Sequence, residues 1–170
     1  MHHGFRFARA SAALLAVAAC NVGSSDVPLS VDLACTNATV GAAGGTLTHE
    51  TGAVLTIPAG ALSADVALTW CGAPPPDASA LGGATALAQA YVAGPAGTTF
   101  AMPVAVAIPF DPTRLASSTS ASSVKVYVGA QGAATFAAVT TSATSTTTSA
   151  GGLAQASVSQ AGEFVAAGKP

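Results

Sequence analysis

In three short stretches of the chain every second residue is a large apolar one, and this period of two constrains the fold more than any other feature. In residues 65–71, Leu68 and Trp70 share one face with a valine, while small or polar residues take the other. Residues 103–108 and 124–128 repeat the pattern with valines and one isoleucine. Successive side chains of a strand point to opposite faces, so each stretch predicts a strand with one buried face.

Valine and threonine recur along the rest of the chain, and glycine and proline interrupt them at short intervals. No helical period of useful length follows residue 20. Strands separated by turn signals at this spacing predict an all-β fold, an antiparallel β-sandwich. Further strands are predicted over residues 36–40, 46–48, 53–57, 89–93, 135–139, 152–159 and 163–167. We expect the strands over 46–48 and 53–57 to flank a tight turn and the second to end in a corner at Pro58 and Gly60. We expect the last two strands to form a hairpin, the strand over 103–108 to end at Pro109, and a loop to cover 72–87. Residues 140–150 are either a polar hairpin rim or a mobile loop.

The N-terminal residues 1–19 have the pattern of a secretory signal. Arg6 and Arg9 precede an apolar run, residues 10–19, that is too short to cross a bilayer. The run ends Val-Ala-Ala-Cys, which resembles the lipobox of bacterial lipoproteins, in which an aliphatic residue and two small ones precede a cysteine. The signal helix would be cleaved before Cys20.

The lipobox resemblance implies lipidation of Cys20 and a protein anchored to the outer or inner membrane of a bacterial cell envelope. The chain then divides into a signal peptide (1–19), a lipid-anchored tether (20–34) and one domain (35–170). The alternative is an ordinary signal cleaved near Ala19 and a freely secreted protein.

The two remaining cysteines, Cys35 and Cys71, form an even pair in an oxidising compartment. We expect a disulfide between them; two buried free thiols are the alternative. Their spacing is far too wide for a zinc or C-x-x-C redox pattern.

Only 7% of the residues are charged, although 51% are hydrophobic, many of them alanine. After residue 19 the chain has three basic and seven acidic residues, a net charge of −4. A chain with this balance lacks the basic patch that nucleic acid requires.

Side chains that carry catalysis are few after residue 19. The one histidine, His49, lies beside Glu50 in a predicted exposed turn, and such a pair is typical of solvated surface, so no metal site or cofactor is expected. The carboxylates are never paired locally: Asp26, Asp32, Glu50, Asp65, Asp77, Asp111 and Glu163. The phase of Trp70 predicts a core residue, and that of Tyr127 an exposed one. Asp111 and Arg114 are candidates for a loop ion pair near a single helical turn.

A longer pattern resembles the ZU5 (ZU-five) domain, which zona occludens proteins, netrin receptors and ankyrins share. Its first part is Gly-Gly-x-Leu, a turn, and Val-Leu-x-Ile-Pro-x-Gly-Ala-Leu, at Gly44, Gly45, Leu47, Gly52, Val54, Leu55, Ile57, Pro58, Gly60, Ala61 and Leu62. Its second part is at Tyr91, Gly94, Pro95, Gly97, Phe100, Pro103 and Val104, and its last at residues 156–159 with Phe164 and Val165. The resemblance covers about residues 38–167 and implies a β-sandwich.

Some members of that family cleave themselves at a His-Phe-Ser motif before the last strand. Residues 159–164 of this chain lack that arrangement, so self-cleavage is not expected. We therefore expect a non-catalytic structural or protein-binding module, bound to the membrane through Cys20. The alternatives are a glycan or small-ligand binder using the loops over 72–87 and 140–150, and a hydrolase whose carboxylates meet on folding.

Overall fold

A computed structural model describes residues 29–115, 120–145 and 151–169, with side chains omitted for 143–145. The predicted signal (1–19), Cys20 and most of the predicted tether lie outside these residues. Within the described ranges the chain forms twelve strands in two antiparallel sheets packed face to face, with two short 3-10 turns. The predicted all-β sandwich is confirmed.

The first sheet, sheet A, has seven strands. Its spatial order is β1 (Cys35–Val40), β4 (Val66–Ala73), β6 (Ala90–Gly94), β12 (Glu163–Gly168), β8 (Lys125–Gly129) and β9 (Ala137–Ala138), with β5 (Thr85–Ala86) pairing β12 beside β6. Sheet B has five strands in the order β10 (Thr141–Ser145), β11 (Gly152–Gln160), β7 (Thr99–Phe110), β3 (Val54–Ile57) and β2 (Gly45–Thr48).

The main core fills the space between the sheets. The alternation of the sequence places its large residues there, and Leu68, Trp70, Val104, Val106 and Ile108 are at most 1% exposed. In β8 the inward valines likewise contact this core, as predicted. The period of two is therefore sufficient to identify the buried face of each long strand.

The Gly44–Leu62 stretch forms the predicted hairpin and corner. Gly44 adopts a φ of +74°, and its amide donates to the carbonyl of Gly41 at 3.0 Å. At the other end, Gly60 has a φ of +81° and donates to the carbonyl of Ala42 at 2.8 Å. The two glycine turns of the motif are thus bonded to each other, and they direct Ala61 back into the core.

Gly44 also lies against the proline corner. A Cβ at this position would collide with the carbonyl oxygen of Ile57 and lie 2.7 Å from the carbonyl carbon of Pro58. Backbone atoms cannot give way as a flexible side chain can. Both the positive φ and this contact require glycine here.

The Cys35–Cys71 disulfide is present and confirms the predicted pairing. The two cysteines face each other in the first pair of the β1–β4 ladder. Threonine hydroxyls close both open sides of the sandwich. Thr36 donates to the carbonyl of Thr48 at 2.8 Å on one side, and Thr141 accepts from the amide of Val126 at 2.8 Å on the other.

One predicted strand pairing and one predicted strand end are wrong. The last two strands are not a hairpin, because β11 lies in sheet B and β12 in sheet A, so the chain crosses between sheets near Ala161. The strand predicted to end at Pro109 continues to Phe110. Beyond Ala107, β7 pairs only with β11, and a strand tolerates a residue without an amide donor where it has one neighbour.

The loop predicted over residues 72–87 is also wrong in part. Gly72 and Ala73 continue β4, and residues 85–86 form β5. Leu81, which lies between them, is buried at 1% exposure. The sequence pattern missed this because a turn-rich segment with a single leucine has no periodicity.

We expect Gly44→Ala to lower the free energy of unfolding by about 3 kcal/mol, since it adds backbone collisions to the cost of a left-handed residue. The matched control is Gly82→Ala. Gly82 has a φ of +62°, but a Cβ there would meet nothing within 4 Å, so we expect a cost of only about 1 kcal/mol. Urea denaturation of both variants measures the difference. Equal costs would show that the Gly44 contact contributes nothing.

Candidate interaction surface

The outer face of sheet A is partly covered by the chain itself. Residues 74–84 fold over it and bury Leu81 in a second apolar cluster. The members of that cluster are Leu81, Ala84, Ala90, Tyr127, Val165 and Ala167. The backbone amide of Phe136 fixes this cover by donating to the carbonyl of Ala80 at 2.9 Å.

Tyr127 was expected to be exposed, and this expectation is wrong. It does point away from the main core, as its phase requires, but the segment over residues 74–84 covers it and leaves it 7% exposed. Alternation identifies which side of a sheet a residue occupies. It does not show whether a distant segment covers that side.

The outer face of sheet B, in contrast, is exposed along two rows of side chains. Strand register defines each row, because residues directly opposite in antiparallel strands share a face. The first row is Thr46, Thr56, Ala105 and Ser157, and the second is Thr48, Val54, Ala107, Gln155 and Ser142. All nine are exposed except Val54 and Ala107, which are half-buried. We call these nine residues the sheet B face.

A shallow open groove of about 530 Å³ runs along the sheet B face. Ala105 and Ala107 lie at its centre, with Thr56 on one side and Gln155 on the other. Alanine methyls are the shortest side chains in the rows, so the central strand forms the floor of the groove. Such a shape accepts a flat or ridged apolar surface bordered by hydroxyl and amide groups.

No charged residue occurs in the five described strands of sheet B. Solvent-facing strand positions normally include charged side chains, and charge is depleted where a surface makes contact with a partner. Alternation in residues 103–108 places Ala105 and Ala107 on the face opposite the valines, but it does not show the surface to which they belong. Absence of charge from single strands could not have found it, because five of the seven strands of sheet A also lack a charged residue and only the structure shows which strands share a sheet.

A buried polar cluster lies at the β2–β3 turn, and it corrects the expectation for His49. This residue was expected on the solvated surface, yet it is 1% exposed and makes an edge contact with Tyr91 at 5.4 Å between ring centres. Its Nε2 lies 3.0 Å from the carbonyl of Ala34. A carbonyl only accepts, so Nε2 carries the proton and donates.

The second ring nitrogen of His49 accepts hydrogen bonds and links the histidine to Tyr91 through Thr51. Nδ1 accepts from the amide of Thr51 at 3.2 Å and from its hydroxyl at 2.8 Å. The Thr51 hydroxyl then accepts from the phenol of Tyr91 at 2.8 Å. Every polar atom of the cluster has a partner, so the cluster stabilises the turn, and its histidine is engaged on both nitrogens.

The surroundings of two ionisable groups change their acidity. Burial raises the pKa of Tyr91 above 10.0, against a smaller lowering by the Thr51 hydrogen bond. The hydroxyl and amide of Thr113 lower the pKa of Asp111, and the nearby Arg114 adds to this. Asp111 caps the 3-10 turn Pro112–Arg114, which confirms the single helical turn expected there.

The remaining candidates from the sequence do not converge on a site. Trp70 is in the core at 0% exposure, as predicted. Among the described residues, no group of three or more His, Cys, Asp or Glu side chains could hold a metal ion. Cys20 lies outside the described residues. In the part of the chain that the structure describes, no helix has the length and apolarity to cross a bilayer.

Comparison with known protein families identifies a match. The sequence model of the ZU5 domain matches residues 36–127, more than half of the chain. This range begins in β1 and ends in β8. It contains the first two parts of the pattern, residues 44–62 and 91–104, while the last part, residues 156–165, lies beyond it. No curated protein matches the chain.

We expect Tyr91→Phe to lower the free energy of unfolding by about 1 kcal/mol at neutral pH, the typical net value of one hydrogen bond. The raised pKa of Tyr91 means that the folded protein holds this proton more tightly than the unfolded chain does. The resulting stability is complete below pH 10 and is lost as the pH rises above it. Urea denaturation as a function of pH should show a shallower alkaline loss for Tyr91→Phe. Parallel curves for the variant and the wild type would contradict this.

Proposed function

The chain belongs to the ZU5 domain family, whose domains are protein-interaction modules, and we propose that this one binds another protein through the sheet B face. The observation that carries the proposal is an exposed surface, five strands wide, without a charged side chain in its strands. The expected partner surface is likewise uncharged, because a charge placed over this face would lose its hydration and find no opposite charge.

The shape of the face supports a protein partner. A groove with an alanine floor leaves room for side chains from a partner, and its threonine, serine and glutamine borders supply donors and acceptors. Contact areas of this kind combine an apolar centre with a polar rim. The other sheet offers less, because its outer face is partly occupied by residues 74–84.

We also propose that the module is non-catalytic and is held at a bacterial cell envelope by lipid on Cys20. The Val-Ala-Ala-Cys sequence at residues 17–20, after a charged start and an apolar run, supports this. The Cys35–Cys71 bridge is consistent with folding in an oxidising compartment. Several acyl chains on one residue hold a protein at a membrane far more firmly than a single chain does.

Inserting a charge tests the sheet B face. We expect Ala105→Glu to reduce partner capture at least about tenfold, because the carboxylate would be buried without a counter-charge. The matched control is Ala67→Glu, since Ala67 is also an exposed alanine in a strand but belongs to sheet A. Cross-linking on intact cells, with identification of the captured protein, measures the effect.

Thermal unfolding of both variants separates loss of binding from loss of fold. Capture that is equally strong with Ala105→Glu and with Ala67→Glu would exclude the sheet B face. Capture of a glycan instead of a protein would favour the alternative ligand class.

Replacing the lipidation residue tests the anchor. We expect Cys20→Ser to abolish palmitate labelling and to move the protein from the membrane to the soluble fraction. A serine has no sulfur to form the thioether that attaches diacylglycerol to Cys20. Ala19→Gly is the control, because it keeps a small residue before the cysteine and should leave both readouts unchanged. Membrane association that survives Cys20→Ser would refute lipid anchoring.

A further inference from the structure

Hydrogen bonds from the domain hold the chain in place just before its first strand. We call residues 32–34 the lead-in segment. Gln89 is 4% exposed, and its side-chain amide forms two hydrogen bonds with the backbone of Asp32. Its Oε1 accepts from the Asp32 amide at 2.7 Å, and its Nε2 donates to the Asp32 carbonyl at 2.9 Å. A buried amide that satisfies both groups of one residue holds an extended backbone as a neighbouring strand would.

The end of the lead-in segment is held from two further sides. The carbonyl of Ala34 accepts from His49 Nε2 and from the backbone amide of Gly72, each at 3.0 Å. The Asp32 carboxylate accepts from the Ala34 amide at 2.9 Å, which fixes the bend between them. Gly72 has no side chain at the point where a Cβ would collide with the Asp32 carbonyl.

The position of the disulfide adds to this grip. β1 is an edge strand, so tension applied from its N-terminal end could peel its backbone pairs from β4 one at a time. Cys35 and Cys71 form the first of those pairs, at the end where the chain enters. Tension from the N-terminal end therefore reaches the disulfide before it reaches any other residue pair of the β1–β4 ladder.

We propose that the lead-in segment, its three holding residues (Gln89, His49 and Gly72) and the Cys35–Cys71 bridge form a mechanical clamp. The clamp passes tension on the N-terminal tether directly to β4, an interior strand of sheet A, and so protects the edge strand β1 from being peeled away. The source of tension rests on the proposed anchor at Cys20, but the clamp itself is a property of the folded domain.

Hydrogen exchange on the processed protein, isolated from membranes or from culture fluid, tests the grip. We expect Gln89→Ala and Gln89→Glu to accelerate exchange of the Asp32, Ala34 and Gly72 amides at least about tenfold. The glutamate keeps the shape of Gln89 but cannot donate to the Asp32 carbonyl. Amides of β7 and β11 should exchange as in the wild type, and the exposed Gln131→Ala should change nothing. Unchanged lead-in amides, or equal acceleration of all amides, would overturn the clamp.

Single-molecule stretching between the two chain ends tests the mechanical role. With the bridge intact we expect no extension before the main unfolding event. After reduction we expect an early step at low force of roughly 30 Å, the length of residues 32–40 when extended. An early step in the oxidised protein, or no early step in either state, would overturn the proposal. Neither measurement requires lipid, so failure of the clamp and failure of the Cys20 anchor are separate results.

Discussion

The packing of Trp70 between the sheets is the interaction on which the rest of the structure depends. Its ring stacks on Tyr91, with centres 5.3 Å apart and planes at 18°, and contacts Phe164 at 5.9 Å. These three rings come from neighbouring strands of sheet A. The indole N–H donates to the carbonyl of Ala53 at 3.2 Å, directly before β3 of sheet B. One side chain thus joins the sheets by both apolar contact and a hydrogen bond.

This dependence follows from the composition. Much of the apolar content is alanine, which buries little area per residue, so a few large side chains must supply most of the hydrophobic stabilisation. The aromatic cluster also connects to the polar one, because Tyr91 contacts Trp70 on its face and bonds Thr51 through its hydroxyl. The β2–β3 turn is therefore fixed by the core beneath it, and its position in turn fixes His49 against the lead-in segment.

The sequence predicts the parts of this fold that local patterns determine. Alternation identifies the inward residues of β4, β7 and β8, and Pro58 with Gly60 marks the corner. The cysteine count gives the disulfide. What local patterns cannot give is which distant segment covers a surface. Tyr127 is assigned to solvent because it alternates with the inward valines, and His49 because it lies beside Glu50 in a predicted turn. In the structure Leu81 covers the first and Tyr91 packs against the second.

The sides and outer faces of the sandwich have few charged residues, because neutral groups or other segments of the chain cover much of them. Threonine hydroxyls bridge the open sides of the sandwich at Thr36 and Thr141. Residues 74–84 cover part of sheet A, and the clamp occupies its β1 edge. The surface that stays exposed and uncharged is the outer face of sheet B, and none of the nine residues of that face belongs to the clamp. A partner on that face would leave the bonds between Gln89 and Asp32 intact, so binding and anchoring can act on the domain at the same time.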